Sequence, residues 1–199
     1  MDNLIHPFQI PIYKSFIKNK IFKKIKKEVK DYINQNKEHF DLAWACPTLS
    51  SINFSKEKQI KSPILINEIK FHVEQYFKKW NFKNQNLSLR LADIWVNIAP
   101  YMAYQDQHSH ISRDRLNKNI FSGVLYIDVP ENSGDLYFFN PLLSYLNHFP
   151  ESNRCKDRKV SLSKNQEILI FPSFLNHSVG TNFSNQNRIS VSFNIEVIN

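Results

Sequence analysis

The feature that most constrains the fold is a change in the period of the apolar residues near Leu87. Before that point, two segments repeat their apolar residues every three or four positions, which is the period of an amphipathic α-helix. After it, apolar and polar residues alternate, as in strands with one buried face, and no helical segment interrupts them. Helices followed by a run of strands favour a mainly β fold, an antiparallel sandwich or jelly roll with two N-terminal helices packed outside.

The two helices are predicted from their apolar stripes. The first spans residues 19–37, with lysines between its apolar positions. The second begins after Ser62-Pro63, because serine is a favoured N-cap and proline suits the first helical position. His72 lies beside the second stripe and is interpreted as a boundary residue. The apolar positions are Ile21, Phe22, Ile25, Val29 and Ile33, then Leu65, Ile69, Val73, Phe77 and Trp80.

Strands are predicted where the alternation is bounded by glycine, proline or polar residues. Residues 4–16 are apolar but interrupted by proline, which favours an edge strand. The remaining predicted strands span residues 87–98, 121–129, 134–140, 167–171 and 188–197. The chain of 199 residues shows no repeat or domain boundary. We therefore interpret it as one domain, with residues 1–86 as helical support and residues 87–199 as the β core.

Charge and cysteine usage narrow the class of protein. The net charge is +8, and many positive residues fall in residues 14–37. Such a run usually keeps a helix solvated, so nucleic-acid binding is possible but not favoured. Cys46 and Cys155 have no paired metal spacing, the N-terminus has no signal-peptide core, and no apolar run approaches the ~20 residues of a membrane span. We predict a cytoplasmic protein with free thiols and no membrane partner.

The residues that carry chemistry are histidines and one arginine. His108 and His110 are two positions apart, so in an extended segment both imidazoles project from one face. Neutral imidazole suits Fe, Zn, Cu and Ni, although a lone pair of histidines is a weak signal. His177 follows a later apolar strand, and Arg188 and Ser190 share one face of the last strand. An inward-facing arginine indicates an anion, which is either a bound carboxylate or an acidic side chain of the protein. The alternative is that Arg188 lies exposed at the end of its strand.

With these residues in this order, the sequence resembles the Fe(II)- and 2-oxoglutarate-dependent oxygenases. It is most similar to a group that is common in marine bacteria and their phages and that is related to prolyl hydroxylases. The shared motifs appear in the order of that group and cover roughly residues 87–194. They are Trp95-Val-Asn97, His108-Ser-His110, Ser122-Gly-Val-Leu-Tyr126, Ser133-Gly-Asp-Leu-Tyr-Phe-Phe-Asn-Pro141, Phe171-Pro-Ser-Phe-Leu-Asn-His177 and Arg188-Ile-Ser-Val-Ser-Phe-Asn194.

The resemblance implies a double-stranded β-helix and a dioxygenase that uses Fe(II), 2-oxoglutarate and O₂. Succinate and CO₂ would be released as an unidentified peptidyl or small-molecule substrate is hydroxylated. His108 and His177 would be iron ligands, and Arg188 would bind the far carboxylate of 2-oxoglutarate. The residues expected to help on the 2-oxoglutarate side, or to line the site, are Ser190, Tyr126, Asn97 and Asn194.

One position departs from the wider superfamily, which uses two histidines and one carboxylate. His110 stands where that carboxylate is expected. We favour a ligand set of His108, His110 and His177. Asp106 is an alternative ligand, because it lies two residues before His108 on the same face. His110 would then support the ligands without touching the metal.

Two other functions compete with this prediction. A cupin-like metalloenzyme could bind metal through three histidines without using 2-oxoglutarate, and it is favoured if Arg188 does not face the metal. A non-catalytic barrel could instead bind a partner through the basic helix. Residues 111–119 and 142–159 are predicted to form a lid in which substrate specificity lies.

Overall fold

The computed structural model describes residues 10–42, 46–81, 88–111, 119–142, 158–161 and 163–198. Two α-helices lie in these ranges, α1 (Asn19–Gln35) and α2 (Pro63–Trp80), with a short 3₁₀ helix at Lys37–His39. The strands are β1 (Tyr13–Phe16), β2 (Asp41–Leu42), β3 (Leu49–Ser50), β4 (Ser88–Ala99), β5 (Gln105–His108), β6 (Asn119–Asp128), β7 (Leu136–Phe139), β8 (Arg158–Ser161), β9 (Glu167–Pro172), β10 (His177–Val179) and β11 (Arg188–Ile198).

The strands form two antiparallel sheets. The major sheet has the order β1-β9-β6-β11-β4-β3-β2, and the minor sheet has the order β5-β10-β7-β8. The prediction of a mainly β, antiparallel fold with two N-terminal helices is confirmed. The segment predicted as an edge strand contributes β1, which lies at one edge of the major sheet.

The major sheet is covered on both faces. On one face α1 and α2 pack against the sheet, and on the other the sheet packs against residues of the minor sheet. Strand β9 shows why its sequence is continuously apolar: Ile168 and Ile170 face the helices, whereas Leu169 and Phe171 face the minor sheet. Because both faces of this strand are buried, its residues do not alternate between apolar and polar.

The central strand β11 follows the alternating pattern. Val191 and Phe193 are fully buried against the helices. Ser190 and Ser192 point to the opposite face, where they line a cleft. The period of two therefore delivers a row of polar side chains to one face of an otherwise apolar strand.

Helix α2 starts as its sequence predicts. The Oγ of Ser62 accepts a hydrogen bond of 3.0 Å from the backbone N of Leu65, and Pro63 occupies the first turn. His72 was wrongly placed at the boundary, because it is only 3% exposed and Tyr13 OH lies 2.9 Å from its Nδ1. A polar partner on β1 allows this imidazole to be buried in the helix-to-sheet core.

Two differences from the predicted strands concern the site. His108 and His110 were interpreted as parts of one extended segment, but His108 ends the strand β5 of the minor sheet and His110 lies beyond it. Strand β10 was not predicted because it has only three residues. Cys46 is a buried free cysteine. Cys155 and most of both predicted lid segments lie outside the described residues.

Helix α1 presents most of its lysines to solvent, while Lys26 and Lys30 form ion pairs with Asp128 on β6. These ion pairs attach the basic helix to the major sheet. Neither helix of the described chain combines the length and the apolar character that crossing a membrane requires.

Candidate metal and anion site

Three histidines converge between the two sheets. His108 on β5 is the direct cross-strand partner of His177 on β10. The backbone N of His110 donates a 2.9 Å hydrogen bond to the carbonyl oxygen of Ser173, which holds the bend after β5 against the end of β9. The potential ligand atoms of the three imidazoles all lie within 4.8 Å of one another. This spacing is compatible with three nitrogen ligands around one metal ion.

Hydrogen bonds fix the tautomers of two of these rings. The Nδ1 atom of His108 lies 2.7 Å from the carbonyl oxygen of Asp106, and that of His177 lies 2.9 Å from the carbonyl oxygen of Leu175. A carbonyl oxygen can only accept, so each Nδ1 carries the proton when the ring is neutral. Each Nε2 then carries the lone pair that a metal requires.

Burial keeps the three imidazoles neutral. It lowers the pKa of His177 to about 3 and that of His110 to about 4, and it lowers the pKa of His108 as well. The other two histidines lower the pKa of His177 further. At neutral pH protons therefore do not compete for the nitrogen lone pairs.

Aromatic side chains surround the imidazoles. The ring of Phe171 lies 4.8 Å from His177, and the indole of Trp95 lies 5.7 Å from His110, both measured between ring centroids. These contacts restrict the orientation of the rings and exclude water from them. Sequence reasoning did not assign Trp95 or Phe171 to the site, although both occur in the motifs that carry the resemblance.

Asp106 contributes to the site through its backbone. Its carbonyl oxygen accepts from His108, whereas its side chain is solvent-exposed. Within the described residues, the cluster of potential ligand atoms consists of the three histidines and does not include the Asp106 carboxylate.

The side chain of Asn194 lies against His110. Its Oδ1 is 2.7 Å from His110 Nδ1 and accepts a 2.9 Å hydrogen bond from Ser122 Oγ. Its Nδ2 donates a 3.1 Å hydrogen bond to Asp93 Oδ2. The sequence predicted Asn194 in the site but did not identify these partners, and it missed Asp93 because no local pattern marks that residue.

Arg188 lies at the other end of the same cleft. It is 4% exposed, and its Nη1 donates to the carbonyl oxygens of Ser133 and Gly134 at 2.8 and 3.2 Å. Burial lowers the pKa of its guanidinium, and the nearby Tyr126 and Asp135 raise it. An arginine still remains protonated at neutral pH. No carboxylate of the described residues forms a salt bridge with Arg188.

Tyr126 and Ser190 adjoin this arginine. Tyr126 on β6 and Ser190 on β11 are direct cross-strand partners. Ser190 lies two residues after Arg188 on the same strand. Tyr126 is 3% exposed, and burial raises its pKa to about 12. Its hydroxyl is therefore a neutral hydrogen-bond donor at physiological pH.

Asn97 lies on β4 opposite Ser190. Its Nδ2 donates to Ser192 Oγ at 3.0 Å, while its buried Oδ1 has no hydrogen-bond partner within the described chain. A buried acceptor without a partner is rare in proteins and indicates a ligand or an ordered water.

One cleft joins the histidines to the arginine. Its empty space, including the part that is open to solvent, is about 570 Å³. Its wall includes His108, His110, His177, Asn97, Tyr126, Arg188 and Ser190, together with Thr48, Gln105 and Val179. The arrangement combines neutral nitrogen ligands at one end with a buried positive charge at the other.

Comparison with known sequences identifies a family. The profile of the family described as "Putative 2OG-Fe(II) oxygenase" matches residues 93–194, about half of the chain. This match includes the three histidines, Tyr126 and Arg188. No curated protein sequence matches the chain.

Solved structures share the fold at low sequence identity. A prolyl-4-hydroxylase from Pseudomonas putida has 12% identity and a TM-score of 0.65, covering 94% of this chain and 92% of the other. HygX from Streptomyces hygroscopicus, solved with nickel, 2-oxoglutarate and hygromycin B, has 11% identity and a TM-score of 0.62, covering 94% and 83%. A viral collagen prolyl hydroxylase from Paramecium Bursaria Chlorella virus-1, solved with 2-oxoglutarate, has 11% identity and a TM-score of 0.56, covering 94% and 96%. The predicted double-stranded β-helix is confirmed.

Proposed function

The chain belongs to the 2OG-Fe(II) oxygenase family, and on that premise we propose that His108, His110 and His177 hold Fe(II) while Arg188 binds 2-oxoglutarate. Membership makes the protein an oxidoreductase that depends on Fe(II), 2-oxoglutarate and O₂. The proposal concerns which residues perform each task.

One observation carries the proposal: a single cleft contains three neutral imidazoles and a buried guanidinium that forms no salt bridge with a carboxylate of the described residues. Burying a charge is unfavourable unless an opposite charge meets it. The dianion 2-oxoglutarate would supply a carboxylate for Arg188, while the three histidines would hold the metal. The position of Arg188 in the same cleft also favours this function over a cupin-like enzyme that does not use 2-oxoglutarate.

The donor set fits Fe(II). Imidazole nitrogen is a good ligand for this ion, and the buried rings are neutral at physiological pH. Three neutral ligands leave the charge of the ion uncompensated within the protein. A bound 2-oxoglutarate would provide the missing negative charge, so we expect metal and co-substrate to bind cooperatively.

The residues around the ligands position the reactants. When bound, Fe(II) would supply the activation of O₂ that couples 2-oxoglutarate breakdown to substrate oxidation. The fork of Arg188 would fix the far carboxylate through two parallel hydrogen bonds. Tyr126 OH and Ser190 Oγ would donate to the same group, and Asn97 Oδ1 would accept from a donor in the cleft. Phe171 and Trp95 would exclude water from the metal.

We extend the proposal to hydroxylation of a peptidyl side chain or a small molecule. Support comes from the shared fold with a prolyl-4-hydroxylase and with a protein that holds hygromycin B. Thr48 and Gln105 also line the cleft, and Gln105 carries an amide able to hydrogen-bond to either class.

An anaerobic titration tests the assignment. Fe(II) and 2-oxoglutarate should give a visible charge-transfer band with the wild-type chain, and O₂ should then release succinate, slowly even without the primary substrate. His177→Ala should lose both signals. His39→Ala is the matched control, since His39 is solvent-exposed on the 3₁₀ helix. Equal signals from His177→Ala and His39→Ala would contradict the proposed ligand set.

A further inference from the structure

Three adjacent strands bring Asp93, Asn194 and Ser122 into one row beside His110. Asn194 on β11 is the direct cross-strand partner of Asp93 on β4 and of Ser122 on β6. The resulting hydrogen bonds run from His110 Nδ1 to Asn194 Oδ1 at 2.7 Å and from Asn194 Nδ2 to Asp93 Oδ2 at 3.1 Å. Ser122 Oγ lies 2.9 Å from Asn194 Oδ1 and 2.9 Å from Ser173 Oγ.

The direction of each hydrogen bond follows from the chemistry at one end of the row. An ionised carboxylate can only accept, so the group of Asn194 that faces Asp93 must be the amide NH₂. The carbonyl oxygen of the amide must then face His110 and Ser122. Because that oxygen can only accept, the Nδ1 of His110 must donate, and the lone pair of the neutral ring resides on Nε2.

We propose that Asp93 and Asn194 are positioning residues that act in series, with Asp93 fixing the amide of Asn194 and Asn194 fixing His110 in the tautomer that binds metal through Nε2. The inference rests on the proposed role of His110 as an iron ligand. Asn194 thus provides His110 with an acceptor for its Nδ1, as the backbone carbonyls of Asp106 and Leu175 do for His108 and His177.

This arrangement matters because His110 replaces the carboxylate of the wider superfamily. Either oxygen of a carboxylate can bind a metal, whereas a neutral imidazole binds only through the nitrogen that lacks a proton. The groups that orient metal-bound histidines strongly influence metal affinity. Asn194 is 7% exposed, so its hydrogen bond to His110 is shielded from water. Asp93 is solvent-exposed, so we expect it to act by orienting the amide more than by its screened charge.

Substitutions at Asp93 and Asn194 can disrupt this series of hydrogen bonds and then restore it. In Asp93→Asn, the new amide can accept or donate, so Asn194 is free to rotate its NH₂ towards His110. In Asn194→Leu, His110 Nδ1 loses the acceptor that the amide oxygen of Asn194 provides. In the double variant Asp93→Asn with Asn194→Asp, a carboxylate again accepts from His110 and the amide at position 93 donates to it. The control Glu196→Gln removes another carboxylate near the same strand end, one that pairs with Arg90.

Two measurements on the full chain test the inference. Isothermal titration with Fe(II) alone, under anaerobic conditions, should give an affinity roughly 10- to 100-fold weaker in Asn194→Leu. Asp93→Asn should weaken binding by a smaller factor, and the double variant should recover the affinity. Nitrogen-15 NMR of the metal-free chain should show His110 protonated at Nδ1 in the wild type and in the double variant, and a mixture of tautomers in Asp93→Asn. This second readout depends on neither metal nor activity.

The outcomes separate the two proposals. If the wild type binds Fe(II) and both Asp93→Asn and the double variant match Glu196→Gln in affinity and tautomer, the inference is overturned and the proposed function stands. If His110 of the wild type is protonated at Nε2, the inference is also overturned. If His177→Ala binds Fe(II) as the wild type does, the proposed ligand set fails and the inference fails with it. Should Asn194→Leu not fold, Asp93→Asn and the double variant still decide, because both keep a hydrogen-bonding pair.

Discussion

The replacement Arg188→Gln should separate binding of 2-oxoglutarate from binding of metal. Glutamine is neutral and shorter than arginine, so it also gives up the contacts of Nη1 with the carbonyl oxygens of Ser133 and Gly134 at 2.8 and 3.2 Å. It removes the positive charge and the two-pronged donor. The three histidines lie at the other end of the cleft and keep their own hydrogen-bond partners, so metal affinity should remain near that of the wild type.

The magnitude follows from the burial of the guanidinium. Arg188 is 4% exposed, so its contact with a carboxylate would be largely desolvated. Truncating one partner of such a pair costs about 2–5 kcal/mol, and a loss of about 2.8 kcal/mol corresponds to hundredfold weaker binding. At a 2-oxoglutarate concentration of about 100 times the wild-type Kd, ligand binding raises the free energy of unfolding by about 2.7 kcal/mol. In the variant the same concentration only equals the Kd, and the gain falls to about 0.4 kcal/mol.

Both quantities can be measured on iron-loaded protein without oxygen. The charge-transfer band gives the Kd for 2-oxoglutarate, and denaturant unfolding with and without 2-oxoglutarate gives the stabilisation. Arg90→Gln is the control, because Arg90 is an exposed arginine paired with Glu196. A Kd for Arg188→Gln within about threefold of the control would refute the argument that the buried charge binds the co-substrate.

Two further predictions concern the scaffold. Burial lowers the pKa of His72 to about 4, so between pH 6.5 and about 4 the unfolded chain binds a proton that the native chain does not. Stability should therefore fall as the pH drops through this window, and His72→Gln should reduce the slope in urea unfolding measured at several pH values; an unchanged slope would contradict the assignment. A Cβ at Gly123 would lie 2.3 Å from Phe193 Cζ and 2.6 Å from Leu169 O. Gly123→Ala should therefore lower the free energy of unfolding by about 1–3 kcal/mol, and Gly180→Ala by less because its nearest contact is 3.1 Å. Equal effects of the two substitutions on the urea midpoint would contradict this reasoning.

Much of the fold was predictable because local patterns and tertiary packing agree. The apolar stripe and the Ser62-Pro63 start predicted α2 correctly, because the apolar residues that favour the helix also pack against the sheet. The alternation of β11 predicted its two faces correctly, with Val191 towards the helices and Ser190 towards the cleft. The strand β10 escaped prediction because three residues are too few to show a period.

The site was predictable in its residue types but not in its connections. Spacing placed His108 and His110 together, yet the structure brings them to His177 through pairing in the minor sheet and through a bend that Ser173 holds. Such contacts depend on residues far apart in the sequence, and no local signal encodes them. The link from Asn194 to Asp93 is of the same kind, because it arises from register across two long strands. His72 was misjudged for this reason as well, since its partner lies on β1.

The position of β11 has a consequence for the order of events during synthesis. This last strand of the described chain lies in the middle of the major sheet, between β4 and β6. Until it has emerged from the ribosome, β4 and β6 each present an unpaired edge, which is the kind of surface that recruits other chains. Arg188 and Asn194 arrive with the same strand. We therefore expect the nascent protein to depend on chaperones until β11 has emerged and paired, and to become able to retain iron and 2-oxoglutarate only after that step.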